Sequence, residues 1–393
     1  MATVRREERS VSRRGPPLIP SWTEGTRPFA CVVSRGQPEC PNPSMTEISM
    51  SDSIVLDLQP GALVAVLAGN PEGVVFARNL LMSTSLGFQL VLLTDQPPSE
   101  PDDRCVQWPI DASSLRRLTN MLTITDGPRL GLVCGWPGLL PSAFINLFRG
   151  RLLNVHSGDL PRYRGAGGGS WQVLNDERAI CADVQQMWAN IDAGPILLRE
   201  RVELPSRPYP SDVKIAAKSG SRAVLKRLAE CLIQGGRWPL RHQDQSCATY
   251  FPRLSTVENG WIDFSWTAVL IERFIRAFSD PHEGASFRHG EGMFRVRRAD
   301  VRVSETAFHP FSAGLITNKS PGVIEVVTSD GILSMSDLRL ADGKPAADSL
   351  FKIGGRCYST AADLLSSRVY RPRSGLPISD ADNPVETPSS SAP

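Results

Sequence analysis

Four continuous apolar runs of strand length, separated by stretches with helical periodicity, constrain this chain more than any other feature. Leu63-Val64-Ala65-Val66-Leu67-Ala68 is the first, followed by Phe88 to Leu93, Leu130 to Cys134 and Leu152 to Val155. A strand without polar alternation must be covered on both faces, and helices that alternate with strands supply that cover in parallel sheets. Val74 to Leu86 and Ser113 to Leu122 are the expected helices, and Gly69-Asn70-Pro71-Glu72-Gly73 breaks the first strand from its helix. The expected fold class is therefore α/β with a mostly parallel sheet, whose ligands sit beyond the carboxyl ends of the strands.

The fourth run ends on chemistry. Asn154 and His156 are two residues apart, so both side chains leave the strand on one face. The loop Leu160-Pro161-Arg162-Tyr163-Arg164-Gly165 follows, and Asp192 lies downstream in Asn190-Ile191-Asp192-Ala193-Gly194-Pro195-Ile196-Leu197. An amide and a protonated imidazole can hold a developing oxyanion, and a carboxylate can orient the imidazole and help remove a proton, as acyl transfer to an amine requires. An isolated histidine is more often a satisfied core residue; the amide before it and the carboxylate after it favour catalysis here. Arg162 and Arg164 flank Tyr163 and offer planar forks of donors for a phosphate or carboxylate of an acceptor, or equally fix the loop. Asp159 could pair with an ammonium or a sugar hydroxyl, or be solvated. Gly165-Ala166-Gly167-Gly168-Gly169 is not a phosphate-loop fingerprint, since Ser170 stands where a third glycine belongs.

This segment resembles the active-site stretch of the folate-dependent formyltransferases, in which an N-x-H strand end precedes an LPxYRG-like loop and a D-x-G-x-I-L. The resemblance implies that Asn154, His156 and Asp192 are catalytic. It implies a Rossmann-like catalytic domain, a smaller C-terminal β-barrel-like domain, and 10-formyltetrahydrofolate as formyl donor, without a metal. By the same resemblance Gly135, Trp136 and Leu139 line a pterin pocket, and Met187, Trp188 and Ile191 belong to the loop that closes over it. Asn259-Gly260-Trp261-Ile262-Asp263-Phe264 and Phe274-Ile275-Arg276-Ala277-Phe278 extend the likeness, which covers roughly Leu63 to Tyr358. Departures from the family pattern lie beside the acceptor side. The family's H-P-S-L-L-P is His156-Ser157-Gly158-Asp159-Leu160-Pro161 here, Gln185 stands where many relatives carry a second histidine, and Asp183 replaces a frequent threonine.

Organisation follows from composition. Residues 1–55 are rich in Arg, Ser, Pro and Glu and are expected to be a disordered extension. Residues 56–240 form the catalytic α/β domain, with a long helix from Ser211 to the Gly235-Gly236 stop. A polar linker over 241–258 leads to a β domain over 259–368, and 369–393 is a Pro/Ser-rich tail. Within the β domain, Ser265 is expected to cap a helix carrying Leu270, Phe274 and Phe278. Ser329-Asp330-Gly331 is expected to turn one strand into the next.

Several classes of function are disfavoured. Lys and Arg number 43 against 41 Asp and Glu, a balance unlike that of a strongly electrostatic nucleic-acid binder. The eight cysteines show no C-x-x-C pair and the five histidines no ligand spacing, so neither a metal nor a disulfide framework is expected. No apolar stretch approaches the roughly 20 residues of a membrane span. The expected protein is a cytoplasmic N-formyltransferase acting on a primary amine of a small acceptor, an amino-sugar nucleotide or an amino acid, and compatible with a homodimer. Methionyl-tRNA is the alternative acceptor, because arginines crowd residues 273–302, although acidic residues are interspersed among them. Hydrolysis of 10-formyltetrahydrofolate, with water in place of the amine, is the further alternative.

Overall fold

The computed structural model describes residues 53–83, 87–96, 102–166, 168–302 and 308–371. Most of the expected leading extension and of the Pro/Ser-rich tail lies outside the described residues. In chain order the elements are β1 (Ser53–Val55), β2 (Leu63–Ala68), α1 (Pro71–Ser83), β3 (Gln89–Leu93), β4 (Cys105–Trp108) and α2 (Ala112–Ile124). Next come β5 (Arg129–Cys134), α3 (Ser142–Asn146), β6 (Leu152–Ser157), α4 (Gly168–Leu174), β7 (Ala179–Gln186), β8 (Ile196–Glu203) and α5 (Pro210–Gln234). After β9 (Arg237–Pro239), α6 (Thr256–Asn259) and α7 (Ala268–Ala277), the C-terminal part holds β10 (Ala285–His289), β11 (Gly292–Arg302) and β12 (Ile316–Ser320). It ends with β13 (Val323–Val327), β14 (Ile332–Leu340), β15 (Cys357–Tyr358) and α8 (Ala361–Val369).

The large sheet has seven strands in the order β4-β3-β2-β5-β6-β7-β8. From β4 to β6 neighbours are parallel, and β7 and β8 are added antiparallel. Alternate side chains of its central strands enter two different cores. Val64, Val66, Leu90, Leu92, Leu130 and Leu132 pack with Leu80 of α1 and Val224 and Leu228 of α5. Leu63, Ala65, Leu67, Val91 and Val133 pack with Leu118 and Leu122 of α2 and with Phe144 and Phe148 around α3. These are the two covered faces that the unbroken apolar runs demand.

The chain reverses strand order at β2, which has β3 on one side and β5 on the other. Such a switch point opens a crevice beyond the strand ends. Here Gly69 and Gly135 approach so closely that a Cβ on Gly69 would lie 2.0 Å from the Gly135 carbonyl oxygen.

The second sheet is antiparallel, in the order β12-β13-β14-β11-β10-β15. Leu315 bridges Arg356 antiparallel, Ile316 donates its N–H to Gly355 O at 2.8 Å and Cys357 to Gly314 O at 2.7 Å, so the outer strands meet and the sheet curls into a barrel. Its core is shared: Val173 of α4, Ile180 of β7 and Val213 and Ala216 of α5 pack with Ile271, Phe287, Val296 and Met335.

Local starts and stops differ from expectation for identifiable reasons. Ser53–Val55, assigned from sequence to the extension, pairs antiparallel with Arg237–Pro239 and places Ile54 in the core. Helix α1 starts at Pro71 rather than Val74, because Asn70 Oδ1 accepts the Gly73 N–H (3.1 Å) and proline is preset for a first turn. Helix α5 starts at Pro210, one residue before Ser211, and Asp212 reaches back to the Tyr209 N–H at 2.8 Å. The cap of α7 is Thr267, not Ser265; the Ser265 hydroxyl is turned to Asp263 Oδ1 at 2.5 Å.

Candidate active site

Strand β6 delivers Asn154 and His156 to the crevice side of the sheet, and its antiparallel partner β7 sets what faces them. Asn154 is opposite Gln185 and His156 opposite Asp183. The turn between β7 and β8 then brings Asp192 back over the strand end. Asp192 has φ +49, a left-handed conformation that aspartate tolerates better than most residues and that collects at functional positions. The turn closes only because Gly194 has no side chain: a Cβ there would lie 1.7 Å from Gln186 O.

The three residues singled out from sequence therefore meet. Asn154 Nδ2 donates to Asp192 Oδ1 at 3.4 Å, and His156 Nδ1 lies 3.5 Å from Asp192 Oδ2. The same carboxylate accepts the Gly165 N–H at Oδ2 (2.9 Å) and Gln185 Nε2 at Oδ1 (2.9 Å). His156 Nε2 is 2.6 Å from Tyr163 O. A carbonyl only accepts, so Nε2 carries hydrogen and Nδ1 is the nitrogen turned to the carboxylate. Gly158, where the family usually has serine, follows from this contact: a Cβ would lie 2.7 Å from His156 Nε2 and 2.9 Å from Tyr163 O.

A chain of charges fixes the loop that carries Tyr163. Asp183 is fully buried and takes two hydrogen bonds from Arg199, Nε to Oδ1 and Nη2 to Oδ2, both at 2.6 Å. Burial pushes the Asp183 carboxyl above its ordinary range, and the Arg199 guanidinium opposes that shift. Arg199 also donates to Asp159 Oδ1 (2.9 Å) and to Leu160 O (2.6 Å). Arg162 closes the chain, with Nε on Asp159 Oδ2 at 2.9 Å and Nη2 on Glu177 Oε2 at 3.3 Å. Glu177 accepts the Tyr163 hydroxyl at 2.7 Å, and burial with this carboxylate beside it raises the phenol's pKa, so the hydroxyl remains a donor.

The charged residues expected at the acceptor thus have protein partners. Asp159 and Arg162 belong to the loop network, and Arg164 donates Nη2 to Gln243 Oε1 (2.8 Å) and Gln245 Oε1 (3.1 Å). The residues expected around a pterin come from the turn after β5 and the turn after β7. Gly135 follows β5 with φ +70, and Trp136 and Met187 pack partly buried against one core face. Leu139, Trp188 and Ile191 keep 66%, 43% and 40% of their surface exposed.

Sequence reasoning missed Gln243, which sits in the stretch taken for a linker. It is buried, and its Nε2 donates to Asp192 O (2.8 Å), Gly194 O (2.7 Å) and Gln185 Oε1 (3.2 Å). A glutamine in a polar stretch carries no signal of burial. Arg199 was findable in principle: an aspartate between Ala182 and Val184 in an apolar strand demands a buried cation.

A parallel sheet that gathers an amide, an imidazole and a carboxylate beyond its strand ends, with a barrel packed on its flank, defines a group-transfer enzyme of α/β class. The family described as "Formyl transferase" matches residues 123–218, and "Formyl transferase, C-terminal domain" matches residues 255–354. These matches support a folate-dependent formyltransferase, an enzyme of one-carbon group transfer. It is similar to the methionyl-tRNA formyltransferase of Alkaliphilus oremlandii, 26% identical over 294 residues that cover 71% of this chain and 92% of that protein. The Nitrosomonas europaea methionyl-tRNA formyltransferase is 28% identical over 312 residues, covering 74% and 92%. Among solved structures, the sugar 3N-formyl transferase WlaRD shares the fold with a TM-score of 0.51 at 12% identity, covering 70% of this chain and 97% of that one. No helix among the described residues is long and apolar enough to cross a membrane.

Proposed function

We propose that the protein transfers the formyl group of 10-formyltetrahydrofolate to a primary amine of a small acceptor, an amino-sugar nucleotide or an amino acid. The observation that carries the chemistry is the convergence of Asn154 and His156 on the Asp192 carboxylate. The amine nitrogen attacks the formyl carbon, and the carbonyl electron pair moves to oxygen. The Asn154 amide and the Nδ1–H of a protonated His156 donate to that oxyanion, a type of contact worth about 10²–10³ in rate. Asp192 accepts the proton leaving the amine. The carbon–nitrogen bond to the folate then breaks, and that nitrogen takes up a proton as tetrahydrofolate departs. Trp136 and Met187 would pack the pterin, with Leu139, Trp188 and Ile191 covering it. The exposed apolar surface of Leu139, Trp188 and Ile191 supports this placing.

The small acceptor is favoured by how the arginines of residues 273–302 are engaged. Arg273 pairs with Asp176, Arg276 with Glu272, Arg288 with Asp363, Arg295 with Glu283, Arg297 with Asp337 and Arg302 with Glu325. A polyanion needs cations that can neutralise phosphates, and six of the seven arginines in this stretch already face carboxylates, with Arg298 the exception among the described residues. Methionyl-tRNA is the second reading, favoured by the sequence relatives that carry that activity.

Release of tetrahydrofolate should be followed across dTDP- and UDP-amino sugars, amino acids and methionyl-tRNA, with a no-acceptor arm. Release that needs a small amine, and that falls about 10³-fold in Asp192→Asn, is expected. Release only with methionyl-tRNA would replace the acceptor, and acceptor-independent release would make the protein a hydrolase.

A further inference from the structure

A second cavity, of about 660 Å³, borders Tyr250, Phe251 and Pro252, next to the loop that carries Tyr163. Its lining includes Trp171 of α4, Trp261 and Trp266 before α7, Phe274, and Arg368 and Arg371 at and beyond the end of α8. Neither Asn154, His156 nor Asp192 borders it. One wall is shared with the catalytic loop. Phe251 stacks on Tyr163 with ring centres 4.9 Å apart and touches Trp171 at the same distance, and Phe251 N donates to Arg164 O at 2.9 Å.

The lining has the composition of a ligand site. Its volume falls within the roughly 300–1,000 Å³ of small-molecule pockets, and aromatic side chains dominate it. Three arginines border it; Arg273 pairs with Asp176 and Arg368 with Asp263, which leaves Arg371 as the lining arginine whose described partners are backbone carbonyls. Arg371 donates Nη1 to Arg368 O and Tyr370 O, each at 2.9 Å, which holds its guanidinium at the exposed rim with further donors to offer. Arg273 lies deeper. Its Nη2 pairs with Asp176 at 3.1 Å, while its buried Nε has no hydrogen-bond partner among the described residues. Buried donors are seldom left unmet in folded proteins.

We propose that this cavity is a second binding site, for a planar heteroaromatic ring bearing an anionic group. The ring stacks among the indoles, as bases do on aromatic platforms, and the anion meets the guanidinium fork of Arg371, while Arg368 keeps its Nη2 on Asp263 Oδ2 at 3.2 Å. A nucleoside diphosphate and a reduced folate both have this chemistry. The site stands apart from the proposed acceptor, since it needs neither the catalytic residues nor a particular amine.

Calorimetric titration of the full chain with UDP, ADP and 5-formyltetrahydrofolate, one at a time, separates these sources. One of them should show a binding event that Arg371→Ala weakens roughly ten- to a hundredfold, the loss expected for a charge-assisted contact. Ser367→Trp, which fills the cavity from α8, should abolish that event, whereas Asp192→Asn should leave it in place. Thermal unfolding of each variant checks that the fold is intact. Absence of binding by all three probes would overturn the proposal. Titrations in which no binding event is weakened by Arg371→Ala and lost in Ser367→Trp would equally overturn it, because every event seen would then belong to another place such as the catalytic crevice.

Discussion

The crevice and the barrel are both laced with arginine–carboxylate pairs, and they use them in opposite ways. Beside β6 the charges form one chain, Asp183–Arg199–Asp159–Arg162–Glu177, whose first carboxylate is fully buried and whose last member holds the Tyr163 hydroxyl. In the barrel, pairs such as Arg302–Glu325 and Arg288–Asp363 stand apart from any such chain. Arg302, for example, is 59% exposed where it meets Glu325, and such a pair is worth about 0–1 kcal/mol. Burial turns the same residue types from local neutralisation into positioning, because a buried charge that loses its partner has no solvent to fall back on.

Arg199→Met is the harshest test of this contrast. It leaves Asp183 buried without its cation, so stability should fall by about 3–5 kcal/mol, read as the urea midpoint, and tetrahydrofolate release should fall with it. A midpoint shift as small as that of a surface pair would refute the idea that this chain is a positioning device. Gln243→Ala comes next. Removing three donated hydrogen bonds around Asp192 should cost about 1–3 kcal/mol of stability and lower kcat more than it raises KM. An unchanged kcat would reduce Gln243 to packing.

Arg288→Met supplies the weak end of the scale. The Arg288 guanidinium, hydrogen-bonded at 2.7 and 2.9 Å, is the main cause that holds the Asp363 carboxyl down at about 2, with the Thr360 hydroxyl and N–H assisting. A depressed carboxyl stabilises the fold above its unfolded pKa, near 4, and that contribution is lost as pH falls through about 2. The wild-type advantage over Arg288→Met should therefore be about 1–2 kcal/mol at pH 7 and shrink in that acid window. An advantage that grows toward pH 2 would mean that the pair does not set the Asp363 titration.

Much of this was legible in the chain. The unbroken runs at Leu63, Phe88, Leu130 and Leu152 announced a sheet covered on both faces, and the two-residue spacing of Asn154 and His156 put both on one side of it. Strands β4 and β7 were not anticipated. Cys105–Trp108 is a short edge strand with no apolar run. In Ala179–Gln186 the polar residues Asp183 and Gln185 sit where a buried strand should be apolar, for reasons visible only once Arg199 and Asp192 are in place. For Arg162 and Arg164 the sequence left an acceptor contact and a loop-fixing role equally open, and for Asp159 an acceptor contact or solvation. Their partners come from β8, from Glu177 and from residues 243–245, and no sequence spacing encodes those meetings.

The position of Gln243 bears on where this protein could be cut or recombined. A fragment ending at Leu240 would keep Asn154, His156 and Asp192 but shed the side chain that braces the Asp192 turn. It would also shed Thr249 and Phe251, whose N–H groups bond Pro161 O and Arg164 O. The natural seam for grafting another C-terminal module therefore lies after Phe251, inside what composition marks as a spacer. A chimera joined earlier would inherit a complete set of catalytic side chains and lose the brace that aligns them.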